Sequence, residues 1–316
     1  MAAADVASCC GVAQHSFASR ADDLRWAAAR LPMAGDSQAV HDVRVALRRL
    51  RETAHAFAGC LDSRPDLAAQ LRRQERRLGP LRDAEVRLEL LDRVLGPVAV
   101  WRDRSDDPGL LAGPDSAVVP GSAERPRPGL RGLETEARRV LADRTAREIE
   151  RRRQARLTPS ALARLQELAV PISPAAGHPG RLSARELARE QLPQRFRRAA
   201  RPGSTAADLH RRRIRLRRLR FRLELFAPLI SPGAEPVLAE LRRLQQLLGR
   251  FHDLAVLAAW IDRCARRERP ELRPALRRLA VRAALEQQAA AEVARIELAH
   301  LDQAGWWATA EAACLA

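Results

Sequence analysis

The chain has 316 residues and a formal net charge of +17, an excess that favours a polyanionic partner or an anionic surface. All 56 strongly basic residues are arginine, and the five scattered cysteines form neither a CxxC pair nor a zinc-binding pattern. No run reaches the ~20 apolar residues of a membrane span, and no secretory signal is recognisable, so we expect a cytoplasmic protein without membrane insertion.

Helical periodicity dominates the sequence, and the alternation typical of strands is nearly absent. The runs rich in alanine, leucine, arginine and glutamate predict helices at about 14–31, 38–61, 66–101, 133–156, 160–169, 182–200, 205–227, 234–268 and 271–303. The predicted fold class is therefore all-α.

Two segments interrupt this periodicity. Residues 103–132 contain ten Pro or Gly in thirty positions and are predicted to form a loop, whereas residues 171–180 contain five in ten. We expect the first segment to be an insertion and the second to be a linker.

One basic segment occurs twice. Residues 41–51 read HDVRVALRRLR and residues 210–220 read HRRRIRLRRLR, with seven of eleven positions identical. In both copies the arginines fall on one broad helix face opposite the leucines, since each residue advances the helix by about 100°. Two cationic faces that meet would need a negative ligand between them. Two pairs of polar residues supply predicted N-caps for these helices: Asp36/Ser37 and Ser204/Thr205.

A second motif is repeated at almost the same distance from each basic segment. It reads LGPLRDAEV at 78–86 and LGRFHDLAV at 248–256. The repeated unit is therefore larger than one helix. We predict one repeat at about 14–170 that contains the 103–132 loop, the linker 171–180, and a second repeat at about 181–316, packed as two helical bundles.

The duplicated His/Arg segments and Leu-Gly motifs resemble the CHAD family, the conserved histidine α-helical domain, over nearly the whole chain. The resemblance implies that residues 1–316 form a single CHAD-like domain of two tandem four-helix-bundle-like repeats. It further implies pseudo-two-fold symmetry, a central basic groove or pore, binding of inorganic polyphosphate and association with polyphosphate granules.

Arginine suits such a ligand, because its planar fork forms bidentate bonds with phosphate oxygens and keeps its charge. Along the first copy, Arg44, Arg48 and Arg51 rise by steps of about 6 and 4.5 Å on one helix face. The predicted polyphosphate-binding residues are His41, Arg44, Arg48, Arg49, Arg51, Arg72, Arg73, Arg76, Arg82, His210, Arg213, Arg217, Arg218, Arg220, Arg242, Arg243, Arg250 and His252.

His41 and His210 lie near the N-terminal ends of their helices, where the helix dipole favours anions. Nearby positive charge should favour neutral imidazoles and bound phosphate should favour protonated ones, so we expect affinity to increase as the pH falls. Asp83 and Asp253 are expected to orient arginines, and Glu52 is expected to pair with one.

The second basic helix departs from the first on its apolar side, where Arg212 and Arg215 are predicted to lie. Either this helix is exposed on two sides or the groove wraps around it. The Trp306–Trp307 pair is interpreted as a core or capping element.

No catalytic site is predicted, because the sequence has no Walker loop and no tight carboxylate group among the basic motifs. No cofactor or metal ion is expected. Two other functions stay open: nonspecific binding of RNA or DNA, and an interaction scaffold for acidic proteins. Aromatic residues make up only 3% of the chain, which argues against a specific reader of single strands.

Overall fold

The computed structural model of the chain describes residues 9–31, 37–61, 66–95, 128–170, 183–203 and 205–316. The described residues are dominated by ten α-helices, so the all-α class is confirmed. The helices are α1 (Cys9–Arg30), α2 (Ser37–Ala56), α3 (Leu67–Leu95), α4 (Pro128–Arg156), α5 (Pro159–Leu168), α6 (Ala184–Ala200), α7 (Ala206–Phe226), α8 (Ala234–Arg267), α9 (Arg273–Gln303) and α10 (Trp306–Leu315).

The basic helices begin close to the predicted positions. Thr205 is the N-cap of α7 and forms a capping box with Asp208, because each side chain accepts a hydrogen bond from the other residue's backbone N–H. Ser37 is the first residue of α2, whereas Asp36 and Ser204 lie outside the described residues. His41 and His210 are consequently each the fifth residue of their helix.

The predicted interruptions fall largely outside the described residues, which omit 96–127 and 171–182. The structure corrects the end of the predicted 103–132 loop, because α4 already begins at Pro128. A proline is tolerated in the first turn of a helix, where its missing N–H would have no partner. The helix α10 was not predicted from the sequence.

The chain divides into two compact units, and the division falls inside α3, α4, α8 and α9. The first unit comprises residues 1–83, 151–251 and 290–316. In it α1 packs on α2, α6 packs on α7, and α2 packs on α7. Phe57 and Phe226 meet edge to face in its core, with ring centroids 5.7 Å apart.

The second unit comprises residues 84–150 and 252–289 and has its own apolar core. Leu141, Leu257 and Leu276 are fully buried there. The guanidinium of Arg87 stacks on Trp260 at 4.8 Å and pairs with Glu148 at 3.0 Å. Both compact units take segments from both predicted repeats, so the units and the sequence repeats are different divisions of the chain.

No helix in the described part of the chain combines the length and the apolar character needed to cross a membrane.

Candidate anion-binding site

The amphipathic pattern of α2 is confirmed by its burial. Leu47 and Leu50 are buried in the first unit, whereas Arg44, Arg48 and Arg51 are half-buried on the other side of the helix. Burial of the leucines fixes how the helix faces its neighbours, and this in turn directs the arginines towards α3.

A carboxylate on α3 holds the arginines of α2. Glu75 accepts hydrogen bonds from Arg48 Nε to Oε1 and from Arg51 Nη1 to Oε2, each at 2.5 Å. The backbone carbonyl of the same residue accepts a bond of 3.1 Å from Arg44 Nη1. The positive charges of Arg48 and Arg51 hold the pKa of Glu75 below its usual range, despite the opposing effect of burial.

The Leu-Gly motif of the first copy makes room for this network. A Cβ atom at Gly79 would lie 2.8 Å from Arg44 Nη1, which is closer than side-chain atoms normally approach. The matching Gly249 has no comparable neighbour within 4 Å among the described residues. The glycine of the first copy therefore lets the Arg44 side chain cross α3.

Arginines from both basic helices line one pocket of about 320 Å³ in the first unit. Five of its ten lining residues are arginine, and none is acidic. The arginines and the histidine of this cationic pocket are Arg48, Arg213, Arg217, Arg220, Arg242 and His41.

The charge of Arg217 is strongly affected by its surroundings. Burial, followed by the positive charges of Arg48 and Arg213, lowers the pKa of the Arg217 guanidinium to about 9. No carboxylate of the described residues forms an ion pair with it, although Glu75 partly offsets the repulsion. The side chain stays charged at pH 7, and a bound anion would stabilise this buried positive charge.

His41 lines the cationic pocket. Burial, then the positive charges of Arg82, Arg48 and Arg44, lower the pKa of its imidazole, and Asp42 opposes them. The free protein therefore favours a neutral imidazole at this position.

A larger pocket of about 500 Å³ shares His41 and Val45 with the cationic pocket but differs from it in charge. Three aspartates line it: Asp22, Asp23 and Asp42. These carboxylates would repel a polyanion, so the smaller pocket is the better candidate site for one.

A family profile described as the CHAD domain matches residues 17–262. The protein belongs to the CHAD family. No curated protein matches the sequence.

Two solved structures resemble the fold of this chain. A crystal structure of the CHAD domain from the plant Ricinus communis has a TM-score of 0.61 and 20% identity, covering 92% of this chain and 91% of that one. PptA from Streptomyces chartreusis has a TM-score of 0.56 and 19% identity, covering 92% of this chain and 99% of that one.

The predicted site residues of this CHAD domain do not all belong to the pocket. His41, Arg48, Arg213, Arg217, Arg220 and Arg242 line it, whereas Arg44, Arg49, Arg51 and Arg82 are half-buried without lining it. The predicted residues with exposed side chains are Arg72, Arg73, Arg76, His210, Arg218, Arg243 and Arg250. His252 belongs to the second unit, as does Asp253.

Several of the predicted arginines are paired within the protein. Arg49 and Arg220 share Glu224, at 3.2 and 3.6 Å. Arg243 pairs with Glu240 at 2.8 Å and with Glu297 at 2.7 Å, and Arg242 pairs with Glu235 at 2.9 Å. Pairing lowers the share of the positive charge that is available to a ligand.

The sequence predicted that Arg212, on the apolar side of α7, would lie either on a second exposed face or in a groove around the helix. Neither alternative describes its actual position. Its side chain is buried and forms a bidentate ion pair with Asp302, at 2.9 and 2.5 Å. Its guanidinium also lies 5.3 Å from the ring centroid of Trp307, which is buried as predicted. Arg215 is half-buried.

Glu52 pairs with an arginine as predicted, but it does so in the core. Its carboxylate lies 3.5 Å from Arg222, and both side chains are almost fully buried. Arg222 also donates to the side chain of Gln191. This pair therefore contributes to the core of the first unit and adds no charge to the pocket.

Sequence reasoning missed the acidic residues that organise the site, chiefly Glu75 and Glu224. A signal for Glu75 was present, because it lies three residues before the first Leu-Gly motif and Gln245 occupies the same place before the second. The change from a charged to a neutral residue at matching places is visible without a structure.

Proposed function

We propose that this CHAD domain binds inorganic polyphosphate in the cationic pocket and does not turn it over. The observation that carries the proposal is the lining of the pocket, which includes five arginines and one histidine and no acidic residue. A ligand with several closely spaced negative charges would relieve the repulsion between these arginines. The CHAD profile match supports the same class of ligand.

The arrangement of the arginines favours phosphate groups over carboxylates scattered on a protein surface. Arg48 comes from α2, whereas Arg213, Arg217 and Arg220 come from α7, so donors face the pocket from two helices. Guanidinium groups bind phosphate oxygens through two parallel N–H bonds, and a linear polyphosphate offers such oxygens at every unit.

The proposal includes no catalytic step. Phosphoryl transfer requires groups that hold a divalent ion or position a nucleophile, and carboxylates normally supply them. The lining of the cationic pocket offers no carboxylate. In the described part of the chain, no three His, Cys, Asp or Glu residues are grouped suitably for a metal ion.

We also propose that α2 and α7 are equivalent helices of two tandem repeats, with limits near 14–170 and 181–316. Support comes from Phe57 and Phe226, which follow their basic segments at the same distance and contact each other in the core. The central basic groove of the repeats would include the cationic pocket. A role at polyphosphate granules belongs to the same proposal.

Nonspecific binding of nucleic acid is the main competing function, because it uses the same phosphate electrostatics. The pocket has one aromatic lining residue, Phe221, and its side chain is buried, so it offers no open surface for stacking bases. An acidic protein partner is a further alternative, but no specific feature of the described residues favours it.

Competition at about 150 mM salt tests the proposal, because weak phosphate contacts are screened under these conditions. Labelled long-chain polyphosphate is bound to the full chain and challenged with unlabelled polyphosphate, RNA or duplex DNA at equal phosphate concentration. Polyphosphate should displace the label at the lowest concentration. Equal or better displacement by either nucleic acid would overturn the proposal.

A further inference from the structure

The two copies of the basic helix face different residues on the helix that follows each of them. Counted from the two Leu-Gly motifs, Glu75 on α3 and Gln245 on α8 occupy matching places. Arg48 and Arg217 likewise occupy matching places in the two basic segments. One copy thus has a charged residue where the other has a neutral residue of nearly the same shape.

In the first copy a carboxylate occupies one donor nitrogen on each of two arginines. Both oxygens of Glu75 accept hydrogen bonds, one from Arg48 and one from Arg51. Only 13% of the Glu75 side chain is exposed, and 15% of the Arg48 side chain, so water screens the interaction weakly. A phosphate that takes over these two donors has to displace this carboxylate.

In the second copy the matching position adds no negative charge. Gln245 lines the cationic pocket together with Arg213 and Arg217, and its side-chain amide donates to the carbonyl of Leu216 at 3.3 Å. A ligand that approaches Arg217 therefore displaces no internal carboxylate from that guanidinium.

We propose that Glu75 is an internal counter-anion that competes with the ligand for Arg48 and Arg51, and that Gln245 leaves Arg217 as the primary anion anchor. This inference rests on the proposed function. It assigns different roles to the two copies of the basic segment. Arg217 of the second copy binds the ligand first. Arg48 and Arg51 of the first copy bind it only when a phosphate replaces the Glu75 carboxylate.

A preference among anions follows from this arrangement. A single phosphate can bind near Arg213 and Arg217 but cannot also replace both oxygens of Glu75. A chain of several phosphates can bind Arg217 through one unit and compete for Arg48 and Arg51 through the next units, which are held at high local concentration. Glu75 thereby makes the site selective for long polyphosphate over short phosphates.

A reciprocal exchange tests the inference in the full chain: Glu75→Gln, Gln245→Glu and the double variant. Affinity for long-chain polyphosphate and for tripolyphosphate is measured at one salt concentration, and thermal unfolding confirms the fold of each variant. Glu75→Gln should bind both ligands more tightly, by about fivefold or more, with the larger gain for tripolyphosphate. Gln245→Glu should weaken both by at least about tenfold.

The variant Glu240→Gln is the matched control, because it makes the same change in net charge at a carboxylate that pairs with the exposed Arg243. It should change affinity less than twofold, as expected for a charge outside the pocket. A gain equal to that of Glu75→Gln would show an effect of net charge alone and would overturn the inference.

The outcomes separate this inference from the proposed function. If the wild-type chain does not bind polyphosphate, the proposed function itself is wrong. Wild-type binding combined with weaker binding by a folded Glu75→Gln variant removes only the inference, and shows that the carboxylate positions the arginines for the ligand. If the Glu75→Gln variant does not fold, the affinity of the Gln245→Glu variant tests the inference alone. Unchanged affinity for polyphosphate in Gln245→Glu would contradict the role of Arg217 as the primary anchor.

Discussion

The helices α2 and α7 carry the same basic segment, but their surroundings give the arginines different tasks. In α2, Arg48 and Arg51 are held by Glu75. In α7, Arg217 lines the pocket and forms no ion pair with a carboxylate of the described residues, although Glu75 partly offsets the repulsion it feels. Two similar basic segments therefore offer different amounts of uncompensated charge to a ligand, depending on the residues of the helix that packs beside each of them.

The two helices also differ on their buried sides. At the places where α7 buries Arg212 and Arg222, the matching residues of α2 are the buried Val43 and Thr53. Both buried arginines have carboxylate partners, Asp302 and Glu52 respectively. Two of the arginines of α7 thus form buried ion pairs within the first unit and do not contribute charge to the pocket.

The largest expected effect concerns the buried side of α7. Arg222→Thr, which introduces the residue found at the matching place of α2, should lower the free energy of unfolding by about 3–5 kcal/mol. The reason is that Glu52, with only 7% of its side chain exposed, would keep a buried charge without its partner. Denaturant unfolding at pH 7 measures the change.

The double variant Arg222→Thr/Glu52→Gln provides the control for that prediction. Removing the charge of Glu52 should recover part of the lost stability, because a neutral amide is less costly to bury than an unpaired carboxylate. No recovery would mean that the loss comes from packing of the Arg222 stem or its bond to Gln191.

A smaller effect is expected from His41, which lies beside the arginines of the first copy. Burial and the charges of Arg82, Arg48 and Arg44 lower the pKa of this imidazole, and Asp42 raises it. A bound phosphate favours the protonated imidazole, so binding takes up a proton and becomes stronger as the pH falls. Affinity for long-chain polyphosphate should increase by up to about tenfold from pH 8 to pH 6.

The variant His41→Gln should flatten this pH dependence, whereas His300→Gln, an exposed position on α9, should leave it unchanged. Long chains are the suitable ligand, because only their end groups titrate near neutral pH. A pH profile that is identical in the wild type and in His41→Gln would show that another group takes up the proton.

The smallest effect sharpens the comparison of the two Leu-Gly motifs. Gly79→Ala should displace the guanidinium of Arg44, which lies 2.8 Å from the position of the new Cβ atom, whereas Gly249→Ala meets open space. Gly249→Ala should stabilise its helix by about 0.5–1 kcal/mol, whereas in Gly79→Ala the displacement of Arg44 should offset this gain. Only Gly79→Ala should weaken polyphosphate binding, by about threefold, since one hydrogen bond is worth roughly 0.5–1.5 kcal/mol. Equal affinities of the two variants for polyphosphate would show that the position of Arg44 does not affect binding.

The sequence was sufficient to predict the all-α class, nine of the helices and the amphipathic character of α2, because these depend on local periodicity. It did not predict the partner of each arginine. The bonds from Arg48 to Glu75 and from Arg212 to Asp302 span 27 and 90 residues, and no helical spacing reports such contacts. The helix α10 was missed because its short, alanine-rich sequence has weak periodicity.

The most direct test of the account compares two adjacent arginines of α7 that have the same formal charge. Arg217 lines the cationic pocket, whereas Arg218 is exposed and lies outside its lining. Arg217→Ala should weaken binding of long-chain polyphosphate by about ten- to hundredfold, in line with roughly 1.5–3 kcal/mol for a hydrogen bond to a charged group. Arg218→Ala should change it by less than about threefold, as is typical of a screened surface charge. Equal losses in the two folded variants would contradict the account, because the protein would then bind through its overall positive charge rather than through the pocket.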